Sequence, residues 1–528
     1  MKSVKIILSY LFLLVSGFSY GQSNLKNEIK LTLDEVSWWS GVINQGELMP
    51  LQNGYSADFN SNYGNQVQPL LISDSGEIIW SEEPLTISVI NDTLTVKSKT
   101  KSIAYKKAGN TLREAFLYAS KTYFPPTGIL PEELLFSAPQ YNTWIELIYN
   151  QNQKDILKYA TSIIDNGFPP GVLIIDDNWQ EDYGKLDFHP GRFSNPKMMM
   201  DSLHTLGFQV MLWVCPFISP DCDVYRDLEA RELLLKNSDG RPAIVRWWNG
   251  ASAELDLSNE ESSKWFKEQL DFLQSEYNVD GFKLDAGDFS LYRNVISKEK
   301  TTPQEHCEIY ARIGLNYSLN EYRAMWKMAG QPLVQRLRDK DHSWRDLQKV
   351  IPHILVAGIV GYNFTCPDMV GGGEFTWFLP GAEKLDQEIV VRSAQVGALM
   401  PMMQFSVAPW RVLDEKHFDA VKKAVKMREK YTPQIMELAR ESAITGEPIV
   451  RSMEYVFPHQ GYSKIDNQFL LGDNILIAPY LEKGEGMREV VIPKGEWKDN
   501  NGKIIKGPTK IEIKVKLNEI PIFCKDKI

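Results

Sequence analysis

The sequence predicts an α/β protein: a (β/α)8 barrel of nearly three hundred residues between an N-terminal and a C-terminal β-sandwich. In the middle of the chain, short apolar runs alternate with amphipathic helical stretches, the pattern of a parallel sheet wound with helices. On either side, short alternating segments are broken by turn residues, the pattern of antiparallel sandwiches. Several of the central apolar runs also end on a carboxylate, and the carboxyl ends of barrel strands are where such folds carry their chemistry.

Composition agrees with a multidomain globular chain. Its 528 residues exceed one typical core, and 43% hydrophobic with 11% aromatic residues supply ample material to bury. The 58 basic and 68 acidic residues leave a net charge of −10, the wrong sign for a phosphate backbone, so no nucleic-acid partner is expected. Lys2 and Lys5 precede an apolar stretch from Ile6 to Val15 and the small residues Ser16, Gly17, Ser19 and Gly21. This reads as a secretory signal peptide over 1–21, too short in its apolar core for a stable membrane span. The remainder is expected to be periplasmic or secreted, without a membrane span. Five cysteines are scattered; Cys215 and Cys222 are the one close pair, and whether they bond is open.

From 22 to 137 the segments are sandwich-like: Thr86–Ile90, a turn at Asn91-Asp92, then Thr93–Val96. From 138 to 431 the barrel strands follow. Gly171–Ile175 stops at Asp176-Asp177, a helix spans Pro196–Leu206, and Phe208–Val214, which carries Trp213, stops at Cys215. Arg246, Trp247, Trp248 and Asn249 read either as core packing or as an aromatic platform with polar neighbours that grips a sugar. Phe282 and Leu284 alternate with Lys283, and Asp285 falls where that strand ends, followed by Gly287 and Asp288. An Asp there also closes turns or caps helices, so alone it reads both ways.

Arg336-Leu-Arg-Asp339 precedes a long helix over Trp344–Val360; capping that helix is the structural alternative for Asp339, although Asp341 or Ser343 suits it better. A strand over Gly361–Cys366 then reaches Asp368 and three glycines that let a loop pass close to a ligand. From 432 to 528 strands return, as at Glu489–Ile492 and Ile511–Val515.

Acids therefore recur at strand ends: Asp176, Asp285, Asp339 and Asp368. The seven histidines form no ligand pair, so no metal is expected and metal-assisted hydrolysis is a minor alternative. Nothing matches a phosphate loop or a serine elbow, and no cofactor is expected. A site of Asp, Trp and Arg without His or Cys best suits glycoside hydrolysis, in which one carboxyl protonates the leaving oxygen and another attacks or activates water.

The run Lys283-Leu-Asp285-Ala-Gly-Asp288, the acid five residues before Trp344, and Asp368-Met-Val-Gly-Gly together resemble glycoside hydrolase family 31, the retaining α-glycosidases. Val245–Gly250, Met403–Ser406 and Pro409-Trp-Arg411 extend the resemblance toward its galactosidase-like branch. The resemblance implies Asp285 as nucleophile, Asp339 as acid/base, Asp176 as a holder of sugar hydroxyls and Arg323 as the glycone-subsite arginine. It implies further substrate contacts from Asp177, Trp213, Arg246, Trp247, Trp248, Asn249, Lys283, Asp288, Arg336 and Asp368, with a small-molecule glycoside or oligosaccharide as the partner.

Two departures bear on the sugar. Where the family's α-glucosidases carry a His, this chain has Gln404-Phe405-Ser406, and Arg336-Leu-Arg338 stands where they tend to have Trp or His with glycines. Both favour an α-galactoside, with α-xylose, α-glucose or sulfoquinovose as other glycones and a non-catalytic carbohydrate-binding protein as the remaining reading. In the implied mechanism Asp285 is ionised, and Asp339 starts protonated, for which a raised pKa is expected.

Overall fold

The structure is a computed structural model that describes residues 27–525 except 62 and 382–384; the expected signal segment at 1–21 lies outside the described residues. Its centre is a sheet of eight parallel strands: β1 Gln140–Asn142, β2 Val172–Ile175, β3 Gln209–Val214, β4 Gly281–Leu284, β5 Leu319–Tyr322, β6 Gln335–Arg336, β7 Thr365–Cys366 and β8 Gln404–Phe405. β1 to β7 pair in sequence order and β8 pairs with β1. Between β7 and β8 a bridge from Met369 to Gln404, with the Val370 N–H donating to the Gln404 carbonyl at 2.8 Å, nearly closes the barrel.

The strands read as continuous apolar runs because helices cover one face and barrel side chains the other: every residue of β2 and β4 is buried. Gly281 opens β4 for a steric reason. A Cβ there would stand 1.9 Å from the Leu319 carbonyl oxygen, so a side chain would push β4 off β5.

Long helices follow seven of the strands, among them Pro196–Thr205, Trp344–Ile359 and Glu415–Thr445. Between β5 and β6 the described residues 323–334 form no helix. The N-terminal domain covers that flank instead: the Val67 N–H donates to the Met325 carbonyl at 3.0 Å, and the Lys327 N–H returns to Val67 at 3.2 Å. The strand expected over Gly361–Cys366 shortens to Thr365–Cys366, because the chain first turns at Gly361, with φ +91°.

The N-terminal domain is two four-stranded antiparallel sheets. Its Leu85–Ile90 and Thr93–Ser98 strands form the hairpin expected from the sequence, with Asn91 and Asp92 at φ 49° and 56°, the left-handed pair that a two-residue turn requires. A helix at Leu112–Tyr123, capped by the Thr111 side chain, leads toward the barrel. The C-terminal domain is one six-stranded sheet dominated by the long pair Gly486–Asp499 and Ile504–Val515. The helix Glu415–Thr445 runs through 431–432, where the sequence reading placed the start of the last β domain. Tyr431, Ile435, Met436 and Ala439 keep helical spacing and are buried, and Gly446 ends the helix in a left-handed cap. Among the described residues no helix is long and apolar enough to cross a membrane.

Candidate active site

At the carboxyl ends of the barrel strands lies a cavity of about 430 Å³. Asp285 directly follows β4 and is 8% exposed. Its Oδ2 accepts the Trp213 Nε1–H at 2.8 Å, its Oδ1 accepts the Ala286 N–H at 2.8 Å, and Arg323 Nε stands 2.9 Å from Oδ1. Burial works against its charge, but Arg323, then Lys283 and Arg336, together with the Trp213 bond, outweigh burial and hold the carboxyl below its usual pKa. Asp285 is thus fixed, ionised and open to the cavity.

Arg323 directly follows β5 and also pairs with Asp288, while its guanidinium lies 4.5 Å from the Trp248 ring centre. Burial, with Asp285 nearby, raises the Asp288 carboxyl despite that pairing. At the end of β2, Asp176 Oδ2 accepts the buried Lys283 Nζ–H at 2.7 Å. Its neighbour Asp177 accepts the Tyr183 hydroxyl at 3.0 Å and the Asn249 amide, and burial beside Asp176 pushes its carboxyl up to about 7. Across the cavity, Arg336 at the end of β6 donates to both Asp339 and Asp368, the latter at 2.7 Å.

Asp339 lies on the loop after β6 with its side chain 49% exposed. Ser343 takes the helix cap, accepting the Asp346 N–H at 3.2 Å, which removes the structural reading of Asp339. The expected raised pKa is not found. Desolvation pushes upward, but Arg336 beside it, with Lys283 and Arg323 behind, brings the carboxyl down to about 2. Asp339 also borders a second, strongly polar cavity of about 390 Å³, to which Asn44 and Glu47 of the N-terminal domain contribute.

The structure brings Asp176, Asp177, Trp213, Trp248, Lys283, Asp285, Arg323, Arg336 and Asp339 onto the main cavity wall. Asn249, Asp288 and Asp368 stand one layer back, bonded to Asp177, Arg323 and Arg336 respectively. Trp247 turns inward as packing, 4.3 Å from the Phe217 ring centre, so of the two tryptophans only Trp248 lines the cavity. Arg246 is a correction: on the hairpin Ile244–Trp247 and Gly250–Glu254, outside the barrel, it is exposed and away from the cavity. The cavity also takes Trp144, Tyr149, Phe375 and Lys340, which sequence reading missed. Trp144 follows β1, a three-residue strand with amides at both ends and no apolar run to mark it.

The acids at the strand ends are matched by Lys and Arg, and among the described residues no group of three or more His, Cys, Asp or Glu is placed to hold a metal ion. Cys215 and Cys222 are both free thiols, the first buried, the second capping the helix Asp223–Ala230. Chemically, the arrangement lines one cavity with an enclosed, ionised carboxylate and a half-exposed carboxyl.

Residues 137–438 match the TIM-barrel domain of glycosyl hydrolases family 31, and residues 446–527 match the family's C-terminal domain. The chain is 34% identical over 432 residues to the myogenesis-regulating glycosidase of Mus musculus, covering 79% of this chain and 60% of that protein. It is 26% identical over 409 residues to alpha-glucosidase 2 of Bacillus thermoamyloliquefaciens, covering 71% and 51%. It therefore spans only half to three-fifths of the length of these relatives. In fold it is similar to a family 31 dextranase of Flavobacterium johnsoniae complexed with glucose, with a TM-score of 0.84 at 20% identity over 94% of this chain and 66% of that one. A family 31 alpha-xylosidase from a soil metagenome, complexed with xylose, superimposes with a TM-score of 0.82 at 20% identity over 95% and 80%. With both family domains matched in order and the barrel match alone covering more than half of its length, this chain belongs to glycosyl hydrolase family 31.

Proposed function

We propose that the chain is a retaining exo-α-glycosidase acting on terminal α-galactosides, with Asp285 as nucleophile and Asp339 as acid/base. The observation that carries this reading is the setting of Asp285: a buried carboxylate at a strand end, kept ionised by Arg323 and oriented by Trp213, facing Asp339 across the cavity. An oxygen of Asp285 attacks the anomeric carbon as the bond to the leaving oxygen breaks, and a proton from Asp339 passes to that oxygen. In the second step water attacks the same carbon, its proton passes to Asp339, and the ester bond breaks to restore the Asp285 carboxylate. In this reading the second cavity, which Asp339 also borders, receives the leaving group.

The sugar preference is supported by β8. Gln404 points into the barrel, donating to Gln140 and Glu321 at 2.7 Å each, and Ser406 accepts the Ile145 N–H at 2.8 Å. The stretch where the family's α-glucosidases carry a histidine thus supplies no side chain to the cavity. Export through residues 1–21 belongs to the same reading and is checked by sequencing the N-terminus of the protein recovered outside the cytoplasm.

The test is a panel of nitrophenyl α-glycosides against wild type and Asp285→Ala, with the first-formed anomer read by proton NMR. The α-galactoside is expected to turn over fastest, to release the α-anomer first, and to lose roughly 10³-fold or more in Asp285→Ala. Preference for another glycone removes the galactoside assignment; release of the β-anomer, or activity surviving in Asp285→Ala, removes the mechanism.

A further inference from the structure

Arg336 is 2% exposed and three carboxylates crowd its guanidinium. Its Nη1 donates to Asp339 and to Asp368, and its Nε lies 3.4 Å from Glu321 Oε1. Two of these acids are locked. Asp368 sits at a left-handed φ of +93°, and its second oxygen accepts the Lys340 N–H at 2.7 Å. Glu321, on β5, accepts the Gln404 amide at 2.7 Å. The third is not: Asp339 is half-exposed, and Arg336 is its one hydrogen-bond partner among the described residues.

One buried cation therefore serves two enclosed acids and one half-exposed acid, and the half-exposed one must take up and release a proton in the proposed reaction. We propose that Arg336 is a positioning residue that governs when Asp339 holds a proton, by dividing its charge between Asp339 and the fixed Asp368. The other charges facing Asp339 are Lys283 and Arg323, from the ends of β4 and β5, with Asp285 beside them, and the buried Lys340 next to it on its own loop. The present balance favours the anion, with Asp339 held to about 2 and Asp368 pushed up to about 6 by burial and by Asp339. As the general acid, Asp339 works only while protonated, so its contact with Arg336 places the alkaline edge of activity low on the pH scale.

The two neighbours of Asp339 predict opposite signs. Arg336→Met removes the cation and leaves Asp368 and Glu321 repelling the Asp339 anion, so the alkaline limb of kcat/KM moves up by about one pH unit or more. Asp368→Asn frees Arg336 for Asp339, so the limb moves down. Arg336→Met strands two buried carboxylates and risks misfolding, so Asp368→Asn is an independent arm. The inference rests on the proposed reaction, and one measurement separates the two: NMR titration of ¹³C-labelled aspartate carboxyls, with Asp339 assigned through Asp339→Asn, reads the same shifts without turnover. Opposite shifts in the two variants support the role of Arg336. Limbs and titrations that stay put, or move in the same direction, overturn it.

Discussion

Asp285 and Asp339 are both carboxylates at strand ends, and their surroundings separate them. Asp285 has both oxygens bonded and is nearly enclosed, whereas Asp339 has one partner and reaches into two cavities. A group that donates a proton to a leaving oxygen matters less when that oxygen is a good leaving group. Asp339→Ala is therefore expected to lose roughly 10²- to 10⁴-fold on an alkyl glycoside and far less on a dinitrophenyl glycoside, as read by steady-state kinetics; equal losses on both would deny it the acid role. Asp177 makes a prediction about stability. Its folded carboxyl titrates at about 7, above the unfolded value, so between about pH 4 and 7 the folded state binds the extra proton. That contribution is complete below the unfolded pKa and is lost as pH rises through the folded one. Urea unfolding across that range should show part of the decline abolished in Asp177→Asn, and an unchanged slope would refute the shift.

The loop after β7 is where a single element shapes the candidate site. Gly372 has φ +99° and would place a Cβ 2.4 Å from the Lys340 carbonyl oxygen, while at Gly373 a Cβ would meet Asp339 Cγ at 2.8 Å. The loop is thus pressed against the segment that carries the acid, and the glycines permit that approach. A Cβ from Gly373→Ala would press on Asp339 Cγ and Cβ and on Met369 Cε, so the variant should displace Asp339, costing on the order of 10-fold or more in kcat with a smaller effect on melting temperature. A large fall in thermal stability would instead make Gly373 a folding residue. The Gly-Gly-Gly run was legible in the sequence as a close-approach loop; that Asp339 is what it approaches depends on β6 and β7 lying side by side.

At the scale of the molecule, the N-terminal domain is part of the barrel's wall. It covers the flank between β5 and β6, and its short helix Ile43–Leu48 docks on the barrel helix Trp344–Ile359 so closely that a Cβ at Gly46 would lie 2.5 Å from the Pro352 carbonyl oxygen. The same docking brings Glu47 to the His353 ring at 2.8 Å and makes one wall of the second cavity. Gly46→Val is expected to cost roughly 1–3 kcal/mol of stability in chemical denaturation, because the conflict is with the helix backbone at Pro352 and His353. A neutral result would show that the two parts can separate without strain.

The alternation of apolar runs and amphipathic helices, and acids placed where those runs stop, were local properties, so Asp176, Asp285 and the barrel itself could be read along the chain. Strand β1 and the cavity walls at Trp144 and Phe375 could not, because two- and three-residue strands carry too little periodicity to register and their membership in the sheet comes from neighbours far away in sequence. The same holds for the misplaced Arg246, since alternation along a hairpin does not reveal that the hairpin stands outside the barrel. Nor could spacing show the protonation of Asp339. A carboxyl pKa follows from distance to charges, and the nearest cation belongs to a guanidinium that the fold also gives to Asp368 and Glu321. Which residues are candidates for the chemistry was written locally; how their charges are balanced arises only where β4, β5, β6 and β7 converge.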